Sequence, residues 1–232
     1  MNYDILIFDA DETLYDFGKS ERYALQHASL DLGIQYDETY HLPIYAAINE
    51  TIWKEFELGQ ITQEELKAER FRRFIAKLEE PIDCDKLSAA YLTHLADASF
   101  LLNGSYDLIE ALHPHYRMVI VTNGLTSVQK KRIRASILAP FFEDVIISEE
   151  INQSKPNPGI FDYALHAMKY TNKKKVLMIG DSLTSDIKGG NNAGIDTCWY
   201  NPNHKKNTIE ADINYEVCSY QELKELLLPQ NI

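Results

Sequence analysis

The chain has 232 residues, 45% of them hydrophobic and 25% charged, and its 10 glycines and 8 prolines are too few for a collagenous or disordered protein. This length fits one large domain, or one domain that carries an insertion. The formal net charge of −12 argues against binding of a nucleic-acid polymer, which depends on clustered Lys and Arg, but not against a small anionic ligand in a locally positive pocket.

The chain opens on a predicted strand and continues into a long helical segment. Residues 3–8 form a mostly apolar run that stops at Asp9, which indicates a buried strand. Residues 16–98 contain no such run and repeat their apolar residues at helical spacing. Within them, Thr62 and Glu65 fit a capping box at the start of a helix. We therefore expect a small helical bundle, inserted after the first strand as a cap domain.

The remainder of the chain alternates short apolar runs with segments of helix length. Further strands are predicted at residues 117–122, 144–148, 176–179, 197–200 and 215–218. Helices are predicted at residues 104–113, 125–138, 159–169, 184–193 and 220–228. This alternation predicts an α/β fold with a doubly wound, Rossmann-like parallel sheet. Residues 1–15 and 99–232 would form this core, and residues 16–98 the cap domain.

Polar residues follow four of the predicted strands. In parallel α/β sheets the ligand site lies beyond the carboxyl ends of the strands, near the point where the strand order reverses. The residues that follow these strands are Asp9, Asp11, Thr13, Thr122, Asn123, Lys155, Asp181 and Asp186. Each of them alone would most often be a turn or helix-cap residue. Together they would converge on one edge of one sheet, which indicates an active site.

The converging carboxylates imply a bound cation, because like charges in one site repel strongly. Hard oxygen ligands with open positions suit Mg²⁺, which keeps several waters and usually recruits a substrate phosphate. Lys155, Thr122 and backbone N–H groups after the second strand would then hold the remaining phosphate oxygens. The sequence lacks a dinucleotide fingerprint and a Walker-type loop, which argues against NAD or ATP as a cofactor.

The motifs as a set resemble the four motifs of the haloacid dehalogenase superfamily. They are Asp9-x-Asp11-x-Thr13, Thr122, Lys155 and Gly180-Asp181-(x)4-Asp186, in the same order. The helical insertion is similar to the C1 cap of that superfamily. Residues 8–14 resemble the YjjG/YfnB-type branch of bacterial pyrimidine 5′-nucleotidases, although most relatives carry Gly where Ala10 and Glu12 flank Asp11 here.

The resemblance implies a phosphatase mechanism. Asp9 would be the nucleophile that forms an aspartyl phosphate. Asp11 would protonate the leaving alkoxide and then deprotonate the hydrolytic water. Mg²⁺, with Mn²⁺ as a substitute, would bind Asp9, Asp181 and the backbone carbonyl of Asp11.

The other motif residues would support this chemistry. Thr122, the Asn123 N–H and Lys155 would stabilise the transferring phosphoryl group. Thr13 would position the loop that carries Asp11. Asp186 would act from outside the metal's ligands, by orienting a metal-bound water or Lys155.

The sequence thus predicts a Mg²⁺-dependent phosphomonoesterase whose substrate is a small phosphorylated metabolite, in particular a pyrimidine nucleoside 5′-monophosphate. One alternative is a broad-range sugar-phosphate or phosphoglycolate phosphatase of the same superfamily. A mutase or a phosphonate-cleaving enzyme is another. A 2-haloacid dehalogenase would not need Asp11, and a phospho-accepting signalling receiver would carry no helical insertion of this length.

Three further features predict a cytoplasmic protein without a membrane segment. Cys84, Cys198 and Cys218 are far apart and odd in number, which suits a reducing compartment. The N-terminus lacks the basic start and apolar core of a signal peptide. No apolar run approaches the roughly 18–20 residues that span a bilayer.

Overall fold

The structure is a computed structural model and describes residues 3–229, which divide into two compact units. The first unit comprises Met1–Asp16, Leu101–Thr126 and Ile133–Ile232 as far as these are described. The second comprises Phe17–Phe100 together with Ser127–Arg132. The predicted division at residues 15/16 and 98/99 differs from these bounds by one and two residues, and it did not include the short segment 127–132.

The first unit is built on a six-stranded sheet. Its strands are β1 (Ile5–Phe8), β2 (Arg117–Thr122), β3 (Asp144–Ile147), β4 (Val176–Gly180), β5 (Asp196–Tyr200) and β6 (Tyr215–Val217). They lie in the order β3-β2-β1-β4-β5-β6, and every neighbouring pair is parallel. The order reverses between β1 and β4, as in a doubly wound sheet. The predicted α/β fold class is confirmed.

Both faces of the sheet are covered, which explains why its strands are almost continuously apolar. Side chains of a strand alternate between the two faces. Leu6 and Phe8 of β1 therefore belong to one hydrophobic cluster. Ile5 and Ile7 belong to another, and all four side chains are fully buried.

The second unit is helical. Its helices are α1 (Phe17–Asp31), α2 (Glu38–Glu57), α3 (Gln63–Leu78) and α4 (Cys84–Asp97). The expected capping box starts α3: the Thr62 N–H donates to Glu65 Oε2 at 2.7 Å, and the Glu65 N–H donates to Thr62 Oγ1 at 3.2 Å. Segment 127–132 joins this unit through the Ser99 hydroxyl, which donates to the Arg132 carbonyl at 2.9 Å.

The remaining α-helices come after α4 in the chain and are interspersed with strands β2 to β6. They are α5 (Ser105–Leu112), α6 (Thr126–Arg134), α7 (Ser148–Ile151), α8 (Pro158–Ala167), α9 (Lys188–Ala193) and α10 (Tyr220–Leu227). No helix within residues 3–229 combines the length and the apolar character that crossing a bilayer requires.

Two predicted helices differ from the observed ones. The helix predicted at 125–138 ends at Arg134, because the Ser136 hydroxyl accepts from the Leu138 N–H at 3.1 Å and so competes with helical bonding. The helix predicted at 184–193 begins as a π-helical turn, Leu183–Ile187, and continues as α9. Such turns are frequent at functional sites, and this one carries Asp186.

Candidate active site

The central strand β1 delivers Asp9 to the carboxyl edge of the sheet. Phe8, the last residue of β1, pairs with Ile120 of β2 and with Ile179 of β4. The Asp9 N–H then donates to the Ile179 carbonyl at 2.9 Å, which holds Asp9 against the end of β4. Asp9 therefore lies where the strand order reverses, which is the expected ligand position in this type of sheet.

Lys155 is a buried cation that holds two of the predicted acids. Its side chain is 1% exposed, and its ammonium group donates to Asp9 Oδ1 at 2.5 Å and to Asp186 Oδ1 at 2.6 Å. A third bond goes to the Val121 carbonyl at 2.8 Å. An ammonium group has three N–H bonds to donate. Lys155 is therefore fully hydrogen-bonded to protein acceptors. The sequence indicated the contact with Asp186 as one of two alternatives, but not the contacts with Asp9 and the Val121 carbonyl.

Asn123 positions the backbone of Lys155. Its side-chain amide donates to the Lys155 carbonyl at 2.8 Å and accepts from the Lys155 N–H, also at 2.8 Å. The sequence assigned only the Asn123 N–H a role, so this use of its side chain was missed. The neighbouring Thr122 is buried, and its hydroxyl accepts from the Gly124 N–H at 3.1 Å.

Asp186 is fixed by the turn that follows β4. Its Oδ2 accepts from the Ser182 N–H at 3.0 Å. The Ser182 hydroxyl in turn accepts from the Ser185 N–H at 3.2 Å. Gly180 makes this packing fit, because a Cβ on it would lie 2.3 Å from Asp186 Oδ2. A glycine is therefore required immediately before Asp181.

Three of the predicted acids converge in a group that suits a metal ion. Carboxylate oxygens of Asp9, Asp181 and Asp186 lie within 4.8 Å of one another. The Asp11 side chain does not belong to this group and is only partly buried. The sequence assigned Asp11 to the metal through its backbone carbonyl alone, and that assignment stays a prediction.

The electrostatics of the group also favour a cation. Burial raises the pKa of Asp9 to about 7; Lys155 opposes that rise, and Asp186 and Asp11 add to it. Burial, with the charges of Asp186 and Asp9, holds the pKa of Asp181 well above its usual range. Lys155 contacts two of these three carboxylates, and the exposed Lys205 lies 4.0 Å from the third, Asp181. A divalent cation fits the remaining excess of negative charge.

The loop that carries Asp11 is a tight turn. The Leu14 and Tyr15 N–H groups both donate to the Ala10 carbonyl at 2.9 Å. Glu12 has a φ of 59°, in the left-handed region that favours glycine. Among residues 3–229, the buried Thr13 hydroxyl has no hydrogen-bond partner, but the Thr13 carbonyl accepts from the Tyr220 hydroxyl at 2.7 Å. Thr13 is therefore anchored through its backbone.

Comparison with known proteins identifies the family. The family model described as haloacid dehalogenase-like hydrolase matches residues 3–194, which include all the predicted site residues. The chain belongs to the haloacid dehalogenase-like hydrolase family. The resemblance inferred from the motifs is thereby confirmed, and the chain is a hydrolase of this family.

Two curated relatives of this hydrolase are similar along almost their whole length. Pyrimidine 5′-nucleotidase PynA from Streptococcus pneumoniae is 40% identical over 228 residues, which cover 98% of this chain and 96% of the relative. Pyrimidine 5′-nucleotidase YjjG from Escherichia coli is 34% identical over 227 residues, which cover 98% and 99%.

A solved structure gives the same relationship in three dimensions. The haloacid dehalogenase-type hydrolase YfnB from Bacillus subtilis superimposes with a TM-score of 0.92 at 36% identity, over 99% of this chain and all of that one. That crystal structure was determined bound to magnesium. Fold and family of the present hydrolase are therefore the same as those of YfnB.

The buried contacts of Lys155 lead to a stability prediction. In a Lys155→Met variant, Asp9 and Asp186 would lose their buried counter-ion, and breaking a buried pair in this way costs about 3–5 kcal/mol. Urea unfolding in metal-free buffer should show this loss in the free energy of unfolding. Lys173→Met is the control, because Lys173 contacts Asp162 at a similar 2.6 Å but in solvent. The control should change stability by at most about 1 kcal/mol. Equal losses in the two variants would contradict the prediction.

Proposed function

We propose that this chain is a Mg²⁺-dependent phosphomonoesterase that acts through an aspartyl phosphate on Asp9 and prefers pyrimidine nucleoside 5′-monophosphates. One observation carries the reaction type. The Asp9 carboxylate lies at the end of the central strand, with Lys155 at 2.5 Å and an oxygen of Asp181 within 4.8 Å. A nucleophile beside a cation and a metal-binding acid is what phosphoryl transfer requires.

Asp9 is the nucleophile in this proposal. Lys155 holds one of its oxygens and so pre-orients the carboxylate for attack on phosphorus. The new bond joins an Asp9 oxygen to phosphorus while the bond from phosphorus to the leaving alkoxide breaks. Water then attacks the same phosphorus, which releases inorganic phosphate and restores the Asp9 carboxylate.

Asp11 is the general acid and base. Its side chain is outside the buried carboxylate group and only partly buried, so substrate and water can reach it for proton transfer. It donates a proton to the leaving alkoxide in the first step and accepts one from water in the second. This role also favours a phosphatase over a haloacid dehalogenase, which would not use Asp11.

The remaining site residues hold the phosphoryl group and its counter-charges. Thr122 is buried at the end of β2 and places its hydroxyl at the sheet edge. The backbone N–H of Asn123, the next residue, is the second donor assigned to the phosphoryl group. Lys155 neutralises the two acids that it contacts. Asp9, Asp181 and the Asp11 carbonyl would hold Mg²⁺, which supplies positive charge to the phosphate oxygens when bound.

The relatives support the substrate class. PynA and YjjG are named as pyrimidine 5′-nucleotidases, and their identity to this chain extends over 98% of it, so it includes the helical unit as well as the acids. The net charge of −12 disfavours a polymeric phosphate. A mononucleotide needs only the local positive charge of Lys155 and the metal.

A substrate comparison tests this proposal. We expect kcat/KM for UMP, dUMP or dTMP to exceed that for ribose 5-phosphate, fructose 1-phosphate and 2-phosphoglycolate by about tenfold or more, equivalent to about 1.4 kcal/mol of discrimination. AMP and GMP, assayed under the same Mg²⁺, separate recognition of a pyrimidine from recognition of any nucleoside. A tenfold preference for a sugar phosphate or for phosphoglycolate would exclude the nucleotidase and leave a broad-range phosphatase.

A further inference from the structure

Trp199 and Tyr220 donate hydrogen bonds to the backbone of the two acidic loops, and Tyr200 stacks on Tyr220. Trp199 and Tyr200 end β5, and Tyr220 begins α10. We call these three residues the C-terminal aromatic cluster. They lie beyond residue 194, where the match to the family model ends. The motifs therefore assign them no role.

Tyr220 is bound to the loop of Asp11. Its hydroxyl donates to the Thr13 carbonyl at 2.7 Å, across 207 residues of sequence. Its ring stacks on Tyr200, with ring centroids 4.9 Å apart and planes within 4°, which restricts where the hydroxyl can lie. Burial and the neighbouring Tyr200 raise the pKa of Tyr220, so the hydroxyl keeps its proton and remains a donor.

A hydrogen bond to the Thr13 carbonyl restrains the turn that carries Asp11. This carbonyl belongs to the residue two positions after Asp11 in a seven-residue turn, residues 9–15. Glu12, between them, has the left-handed φ of 59°, a conformation that persists only where its surroundings enforce it. Losing the bond from Tyr220 would release this turn beside Asp11 and leave a buried carbonyl without its donor.

Trp199 makes the corresponding contact with the other loop. It pairs with Gly180 across β4 and β5 and is 1% exposed. Its indole Nε1–H donates to the Asp181 carbonyl at 2.8 Å. This bond fixes the main chain of Asp181, the proposed metal ligand that follows β4.

We propose that Tyr220 is a positioning residue for Asp11 and that Trp199 is a positioning residue for Asp181. The proposal rests on the proposed function, which assigns Asp11 to proton transfer and Asp181 to the metal. Because the two bonds reach different loops, the two residues have separable effects. Tyr220 acts mainly on protonation of the leaving group through the Asp11 side chain, and Trp199 acts mainly on Mg²⁺ binding through Asp181.

Removing the Tyr220 hydroxyl tests the first half. The nitrophenolate of p-nitrophenyl phosphate leaves with little protonation, whereas the alkoxide of UMP needs the acid. In Tyr220→Phe, kcat/KM for UMP should fall about 3–10-fold more than kcat/KM for p-nitrophenyl phosphate, the usual effect of one hydrogen bond. The Mg²⁺ concentration needed for a given rise in Tm should increase less than in Trp199→Phe, because the neutral Asp11 carbonyl contributes less to Mg²⁺ binding than the Asp181 carboxylate. Asp11→Asn should show the same imbalance between the two substrates, but larger.

Removing the Trp199 N–H tests the second half. In Trp199→Phe, the Mg²⁺ concentration needed for a given rise in Tm should increase about 3–10-fold. The ratio of kcat/KM between UMP and p-nitrophenyl phosphate should stay at the wild-type value. A merely structural role would move both measurements to the same extent in both variants, and that result would overturn the proposal.

Tyr116→Phe is the control. The buried Tyr116 hydroxyl also donates to a backbone carbonyl, that of Leu227 in α10, at 2.5 Å. This contact involves neither acidic loop, so Tyr116→Phe should leave both measurements unchanged.

Hydrogen exchange separates a failure of this proposal from a failure of the proposed function. The amides of Glu12, Leu14 and Tyr15 are hydrogen-bonded within the turn and should exchange faster in Tyr220→Phe than in wild type or in Tyr116→Phe. Unchanged exchange would contradict the role of Tyr220 whatever the enzyme hydrolyses. If the wild-type enzyme hydrolyses ribose 5-phosphate rather than UMP, ribose 5-phosphate replaces UMP in the comparison with p-nitrophenyl phosphate. If it hydrolyses no phosphomonoester, the proposed function fails, and exchange and Tm decide the positioning roles alone.

Discussion

Replacing Asp9 with Asn is expected to lower kcat for UMP by at least about 10⁴-fold without unfolding the protein. The amide keeps the size and shape of the carboxylate but is too weak a nucleophile to attack phosphorus. The fold should persist because Lys155 keeps its bonds to Asp186 and to the Val121 carbonyl. Single-turnover hydrolysis measures the loss of activity, and the unfolding midpoint in urea shows whether the fold persists. Both are measured on the same preparation.

The covalent step can be observed directly. Acid-quenched wild-type enzyme should carry a phosphoryl group on the peptide that contains Asp9, and the Asp9→Asn enzyme should not. Asp4→Asn is the control, because Asp4 precedes β1 on the same segment and its exposed carboxylate contacts the Tyr170 hydroxyl at 2.6 Å and the Lys175 ammonium group at 3.5 Å, both outside the site. Asp4→Asn should retain wild-type turnover. If kcat of the Asp9→Asn enzyme for UMP lay within tenfold of the wild-type value, Asp9 would not be the nucleophile.

The sheet and its acidic edge were predictable because buried parallel strands have a simple pattern. Their side chains are apolar on both faces, so each strand is a short apolar run whose end is marked by the first polar residue. Asp9 after Phe8 and Thr122 at the end of β2 stand out for this reason. The parallel order of the strands then brings these ends to one edge, so the sequence could predict which residues meet there.

The orientation of the side chains at that edge was not predictable. The contact of the Asn123 amide with both backbone groups of Lys155 depends on how the loop after α7 folds back onto β2. The hydrogen bond from Tyr220 to Thr13 joins residues 207 positions apart, and no local pattern marks either partner. The π-helical turn at Asp186 looks like an ordinary helix start in sequence. Gly180 directly before Asp181 was the available signal of its tight packing.

Removing divalent metal is the second change for which we expect a large effect. Hydrolysis of UMP should fall to background in EDTA and return on addition of Mg²⁺ or Mn²⁺, because the proposed mechanism needs the cation to balance the charges of phosphate and acids. The Tm should fall as well. A ligand present at about 100 times its Kd stabilises the folded state by about 2.7 kcal/mol, and that stabilisation is lost with the metal. Full turnover in EDTA would contradict the assignment.

Asp181→Asn should separate this metal effect from other consequences of EDTA, because it is expected to raise the Tm in EDTA but to reduce the rise in Tm on adding Mg²⁺. Burial and the charges of Asp186 and Asp9 raise the pKa of Asp181, so its ionised form destabilises the metal-free fold. The neutral amide should therefore raise the Tm in EDTA above that of wild type. The same substitution removes a ligand, so the rise in Tm on adding Mg²⁺ should shrink or vanish. Asp162→Asn, which removes an exposed carboxylate outside the site, should leave the response to Mg²⁺ unchanged. A normal Mg²⁺ response in Asp181→Asn would mean that the metal binds elsewhere than among Asp9, Asp181 and Asp186.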